Sequence, residues 1–141
     1  MEGQRTEMDV EAHFSYRNLR VYQSARAYVK YVYGLVDSYF PDYEKYALSD
    51  QLRRSCTSVS FNIAESTGRF SIREQIHFIE IAFGSLYESM SQLELANDLG
   101  YIQQEQLTDT EQQVLVIAKQ LSGFRESKIK QLNERTTSNN R

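Results

Sequence analysis

The sequence has 141 residues, 40% of them hydrophobic, with a net charge of −3 and a pI near 5.4. That length suits one domain with a real core, and the apolar share is too high for a disordered chain. The charge balance excludes a dedicated duplex-binding domain, which draws most of its affinity from a strong positive excess; nine basic and nine acidic residues lie in positions 1–70, seven and ten in 71–141.

One proline and six glycines leave few breaks in regular structure, which indicates a few long helices instead of many short strands. The apolar runs are only a few residues long, as in Ile79-Glu80-Ile81-Ala82-Phe83, far short of a membrane span. The N-terminal residues lack an apolar signal core and the single cysteine, Cys56, fits a reducing compartment, so a cytoplasmic protein is expected.

The first predicted helix runs from about Asn18 to Tyr39. Leu19, Tyr22, Ala25, Val29, Val32, Val36 and Phe40 step by three and four along one face, and Pro41 with Asp42 forces the exit. The second covers about Ser49 to Thr67, with Leu48, Leu52, Cys56, Val59 and Ile63 on its apolar stripe and Gly68 as C-terminal cap. The third opens on a capping box, Ser71 with Glu74. Ile72, Ile76, Ile79, Phe83, Leu86, Met90 and Leu93 then alternate by four and three, the seam of a coiled-coil-like bundle, until Gly100 ends the run. The fourth helix is expected to start between Gln103 and Asp109, where Thr108 and Glu111 offer a second capping box. Leu107, Val114, Ile117, Leu121, Phe124 and Leu132 mark its buried face, and Gly123 weakens its middle by roughly 1 kcal/mol relative to alanine.

Short connections between long helices make neighbours antiparallel, so the sequence predicts an all-α, antiparallel up-down four-helix bundle over residues 14–133. Residues 1–13 and 134–141 are polar and expected to be flexible tails.

Two further features lie beside the main stripes. Small residues line helix three (Ala82, Ser85, Ser89, Ala96) and helix two (Ser55, Ser58, Ser60, Ala64, Ser66), which lets helix axes approach closely, within one subunit or between subunits. Ten tyrosines, with Tyr22, Tyr28, Tyr31, Tyr33 and Tyr39 on helix one, are too many for one core. The surplus points to a rim or a subunit interface, for which Tyr22, Tyr28, Tyr31, Ser85 and Ser89 are the candidates.

Chemistry has little to build on. A nucleophile needs a base in contact with it, yet the histidines are His13, in the N-terminal tail, and His77, beside the helix-three seam. Glu74-Gln-Ile-His77 supplies one Glu-x-x-His motif where a di-iron bundle needs two, so no metal and no cofactor site is expected. The informative polar residues are Asn62 and Glu65, near the buried face of helix two, with Arg53 and Arg54 about three turns earlier and Arg69 and Arg73 around the following turn. One reading is a structural polar clamp of Asn62, Glu65 and Arg53 that fixes helix register. The other is a rim formed by Arg53, Arg54, Arg69 and Arg73 that meets RNA or a protein partner.

These residues also carry a resemblance. Gln51-Leu-Arg-Arg-Ser-Cys-Thr-Ser-Val-Ser-Phe-Asn-Ile-Ala-Glu65, Gly68-Arg69, Ala82-Phe-Gly-Ser-Leu86 with Glu88, Leu19-Arg-Val-Tyr-Gln-Ser-Ala25, Phe40-Pro-Asp-Tyr-Glu44 and Leu99-Gly-Tyr-Ile102 follow one another in order. Together they resemble the four-helix-bundle family encoded by intervening sequences in bacterial 23S ribosomal RNA genes, over about residues 14–130. The resemblance implies an up-down bundle that assembles as a ring-like homo-oligomer, a pentamer, with no established enzymatic activity. It extends to basic accessory variability proteins that partner a reverse transcriptase and nucleic acid. This chain departs from those in being acidic, and from the family in Ser66, where glycine is favoured.

The first functional reading is therefore a non-enzymatic, homo-oligomeric interaction module. The alternative is an RNA- or DNA-associated accessory factor, such as a reverse-transcriptase partner. An enzyme or metalloprotein built on His77 ranks last.

Overall fold

The computed structural model describes residues 6–139. These residues form five helices and no strand: α1 Glu7–His13, α2 Arg20–Tyr39, α3 Leu48–Thr67, α4 Ile72–Asp98 and α5 Gln104–Asn139. Short 3₁₀ turns, Ser15–Asn18 and Asp42–Glu44, lead into α2 and follow it. No helix among the described residues is long and apolar enough to cross a membrane.

The helix ends follow local chemistry. Phe40 precedes Pro41 and is held extended at φ −80° and ψ 139°, which stops α2. Ser71 caps α4 by accepting a hydrogen bond from the Glu74 N–H at 3.1 Å. At the other end, Gly100 adopts φ 80°, its N–H reaches the Asn97 carbonyl, and the Tyr101 N–H reaches the Ala96 carbonyl. That pair of bonds is a Schellman closure, and its left-handed residue favours glycine. Gly68 also stands at a C-cap, but at φ −89° it uses none of glycine's special freedom. The α5 start differs from the expected capping box. Gln106 reaches back to accept from the Gln103 N–H at 2.7 Å, so Thr108 lies inside the helix.

Each long helix lies beside two others: α2 beside α3 and α5, and α4 beside α3 and α5, while the backbones of α2 and α4 make no close approach. On α3 the expected stripe is the observed one: Leu48, Leu52, Cys56, Val59 and Ile63 are all buried. On α2 the stripe is turned. Val21, Ala25, Tyr28, Val32, Leu35 and Val36 face the core, whereas Leu19, Tyr22 and Val29 are only partly buried against it.

The same rotation occurs on α4. Ile72, Ile79, Leu86 and Leu93 are buried as expected, but the second buried row is Ala82, Ser89 and Ala96, not Ile76, Phe83 and Met90. Small side chains fill that side because α3 brings its own small residues, Ser55, Ser60 and Ser66, into the core. The small-residue strips are thus largely internal packing.

Parts of the stretches expected to be flexible tails, 1–13 and 134–141, are helical. Residues 7–13 are helical with nothing buried, and α5 continues to Asn139 although its last buried residue is Leu121. Exposed helices of this kind bury no stripe, so they leave no periodic signal. Residues 1–5 and 140–141 of those expected tails lie outside the described residues.

Candidate functional site

The polar residues of α3 separate instead of converging. Asn62 is half-buried and its amide donates to the Ser58 carbonyl at 2.8 Å and to Ser58 Oγ at 2.9 Å; Ser58 Oγ in turn lies 2.7 Å from Ser85 Oγ on α4. This part of the expected clamp ties α3 to α4 through hydroxyls. Glu65, by contrast, is exposed and pairs with Arg69 one turn on. Arg53 donates to the Lys45 carbonyl at 3.1 Å. Twelve residues of helix, roughly 18 Å at 1.5 Å per residue, separate Arg53 from Glu65, so the two do not form one clamp.

The four arginines divide the same way. Arg53 and Arg54 sit near the start of α3, Arg69 and Arg73 at the turn into α4, roughly 22 Å away by helical rise. Arg54 pairs with Asp50 at 3.0 Å, and Arg69 pairs with Glu65 while its guanidinium lies 4.2 Å from the Phe78 ring centroid. Within one subunit the set is not a single basic patch.

The interface candidates also sort. Tyr28 is 1% exposed and its hydroxyl lies 2.8 Å from Ser89 Oγ, itself 0% exposed. Both are consumed inside the subunit, which corrects their place in a subunit interface; the reason is the rotation of α2 and α4 described above. Ser85 is half-buried on Ser58. Tyr22 and Tyr31 remain half-exposed at the core rim, Tyr31 donating at 3.4 Å to the Gln106 carbonyl. Burial raises the Tyr31 hydroxyl above its ordinary value.

Cys56 is buried, its Sγ 3.3 Å from the Arg53 carbonyl, and burial pushes the thiol up to about 12. A neutral, enclosed thiol is a poor nucleophile. His77 is exposed and packs edge-on to Phe78. Among the described residues no three His, Cys, Asp or Glu side chains gather at one point.

What sequence periodicity did not reveal is an outward apolar groove between α4 and α5. Tyr87, Met90, Val114, Leu115 and Ala118 line an open furrow of about 570 Å³, rimmed by Glu94 and Glu111. Tyr87 is 59% and Leu115 49% exposed. The groove exists because small residues took the second core row of α4, which left the large Met90 at the rim. The surplus of tyrosines, ten in all, was its signal in the sequence.

The fold and these surfaces define a small all-α protein whose open features, among the described residues, lie on helix faces. The chain belongs to the 23S rRNA-intervening sequence protein family, whose model matches residues 17–123. It is also similar to a protein of unknown function from the S23 ribosomal protein family of Bacteroides thetaiotaomicron, known from a crystal structure. That match has a TM-score of 0.66 and 25% identity, and covers 74% of this chain and 97% of the other. Comparison with curated proteins gave no significant match.

Proposed function

We propose that α2–α5 form an antiparallel up-down four-helix bundle that works as a non-enzymatic, homo-oligomeric interaction module, with a ring of five as the expected assembly. The helix packing order and short connections support the bundle. The observation that carries the oligomer is the outward apolar surface of α4 and α5, where Tyr87 and Leu115 stand about half exposed beside Met90. Contiguous exposed aromatic and aliphatic area on a small helical protein marks a contact surface. Native mass spectrometry of the full chain tests this. Five copies of 16.5 kDa give 82.5 kDa; a 16.5 kDa species alone rejects the reading.

An accessory role on RNA or DNA has narrower support, the exposed Arg54 and Arg73. Ring symmetry could bring five copies of each together, and binding would then fall steeply with salt. No shift of a 23S ribosomal RNA fragment at low salt rejects it.

A further inference from the structure

Helix by helix, the charges are strongly segregated. Between Glu11 and Asp37 the chain carries Arg17, Arg20, Arg26 and Lys30 and no Asp or Glu. Between Arg73 and Lys119 it carries eight Asp or Glu and no Lys or Arg. The basic block is mostly α2, and the acidic block is α4 with the first half of α5.

These blocks do not neutralise each other inside the subunit. Arg17 pairs locally with Glu11 at 3.8 Å and Glu80 with Arg125 at 3.3 Å. Arg20, Arg26, Lys30, Glu94 and Glu111 make no ion pair within 4.0 Å among the described residues. Arg26 and Lys30 lie exposed with Ala27 along a shallow furrow beside Tyr22. Glu94 and Glu111 rim the apolar groove of α4 and α5. The two surfaces face different sides of the subunit: α5 packs on both α2 and α4, and Ala27 with Gln112 and Gln113 lies between the basic furrow and the acidic-rimmed groove.

We infer that the occupant of the α4–α5 groove is the outer face of α2 from a second copy of this chain, with Arg26 and Lys30 set against Glu94 and Glu111 and the tyrosine and aliphatic side chains between them. The inference rests on the oligomeric reading and adds the surfaces that meet. Opposite charges across a patch fix register and exclude wrong pairings. Two different surfaces of one chain meeting head to tail make a heterologous contact, which propagates until it closes as a ring. A two-fold dimer through either surface alone would set like charges together.

Light scattering on the full chain and three exposed-surface variants tests this. The wild type comes first: if it is monomeric, the oligomeric reading falls as well as this one. For an oligomeric wild type, Arg26→Glu with Lys30→Glu, or Glu94→Lys with Glu111→Lys, should each raise the concentration at half-dissociation by at least about tenfold. All four changes in one chain restore complementarity with the signs exchanged and should return assembly close to wild type. Added salt should weaken the wild-type assembly and the fourfold variant alike. Pair variants that assemble like the wild type overturn the assignment. So does a fourfold variant that stays dissociated.

Discussion

The Tyr28 hydroxyl and Ser89 Oγ, 2.8 Å apart and both buried, join α2 to α4, two helices whose backbones make no close approach. Ser89 also donates to the Leu86 carbonyl at 2.7 Å, which uses its only proton, so Tyr28 is the donor of the pair. The bond crosses the core and is made possible by the rotation of both helices, the same rotation that leaves Met90 and Tyr87 facing outward.

An asymmetry between single variants follows. Tyr28→Phe leaves Ser89 satisfied by Leu86 and should cost about 1 kcal/mol. Ser89→Ala strands a buried phenol and should cost about 1–3 kcal/mol. The double variant should cost less than the sum, since no unpaired group remains. Urea unfolding at one fixed protein concentration measures all three; equal and additive losses would remove the bond from the account.

The α3–α4 contact should resist enlargement. Ala96 is fully buried in the row opposite the α3 serines, and Ala96→Leu should cost about 1–3 kcal/mol by overpacking. If that row instead lay at a free surface, thermal unfolding of the variant would match the wild type.

Glycines at two points should respond in opposite directions. At Gly100, φ 80° makes Gly100→Ala unfavourable by about 1 kcal/mol. At Gly84, in mid-helix, a Cβ meets nothing within 4 Å, so Gly84→Ala should stabilise by up to about 1 kcal/mol. Chemical denaturation of the two variants side by side checks the signs.

Stability should fall at alkaline pH. Burial holds the Cys56 thiol up to about 12 against an ordinary value of 9.0. Between those values the unfolded chain releases a proton that the folded chain keeps, so the unfolded state binds fewer protons and stability declines as pH rises. Well below pH 9 the thiol contributes little slope. Buried Tyr28, raised chiefly by burial, adds loss of the same sign above pH 10. Cys56→Ala should flatten the decline from about pH 9 upward, as read by urea midpoints across pH. An unchanged pH profile in that variant would show that the thiol ionises as readily folded as unfolded.

The sequence made much of this legible, and the misses share a cause. The α3 stripe, the Ser71 cap and the Gly100 stop could be read because each is a local pattern. On α2 and α4 the largest apolar residues looked like the core face, yet tight α3–α4 packing selected Ala82, Ser89 and Ala96 and turned Phe83 and Met90 to the rim. Hydrophobic size alone does not register that preference for small side chains. Glu65 looked buried by its neighbours Val59 and Ile63, although it lies on the solvent side with Arg69. The charge segregation was present in the sequence throughout. Counting halves of the chain averaged it away, because α2 is basic while its surroundings in the first half are acidic.

The exposed α4–α5 groove and the basic face of α2 both point to self-assembly. Light scattering of the full chain at micromolar concentration and low salt tests it. One species at several times 16.5 kDa is expected, near 82.5 kDa for five copies. A species of 16.5 kDa that stays monomeric as concentration rises would contradict it.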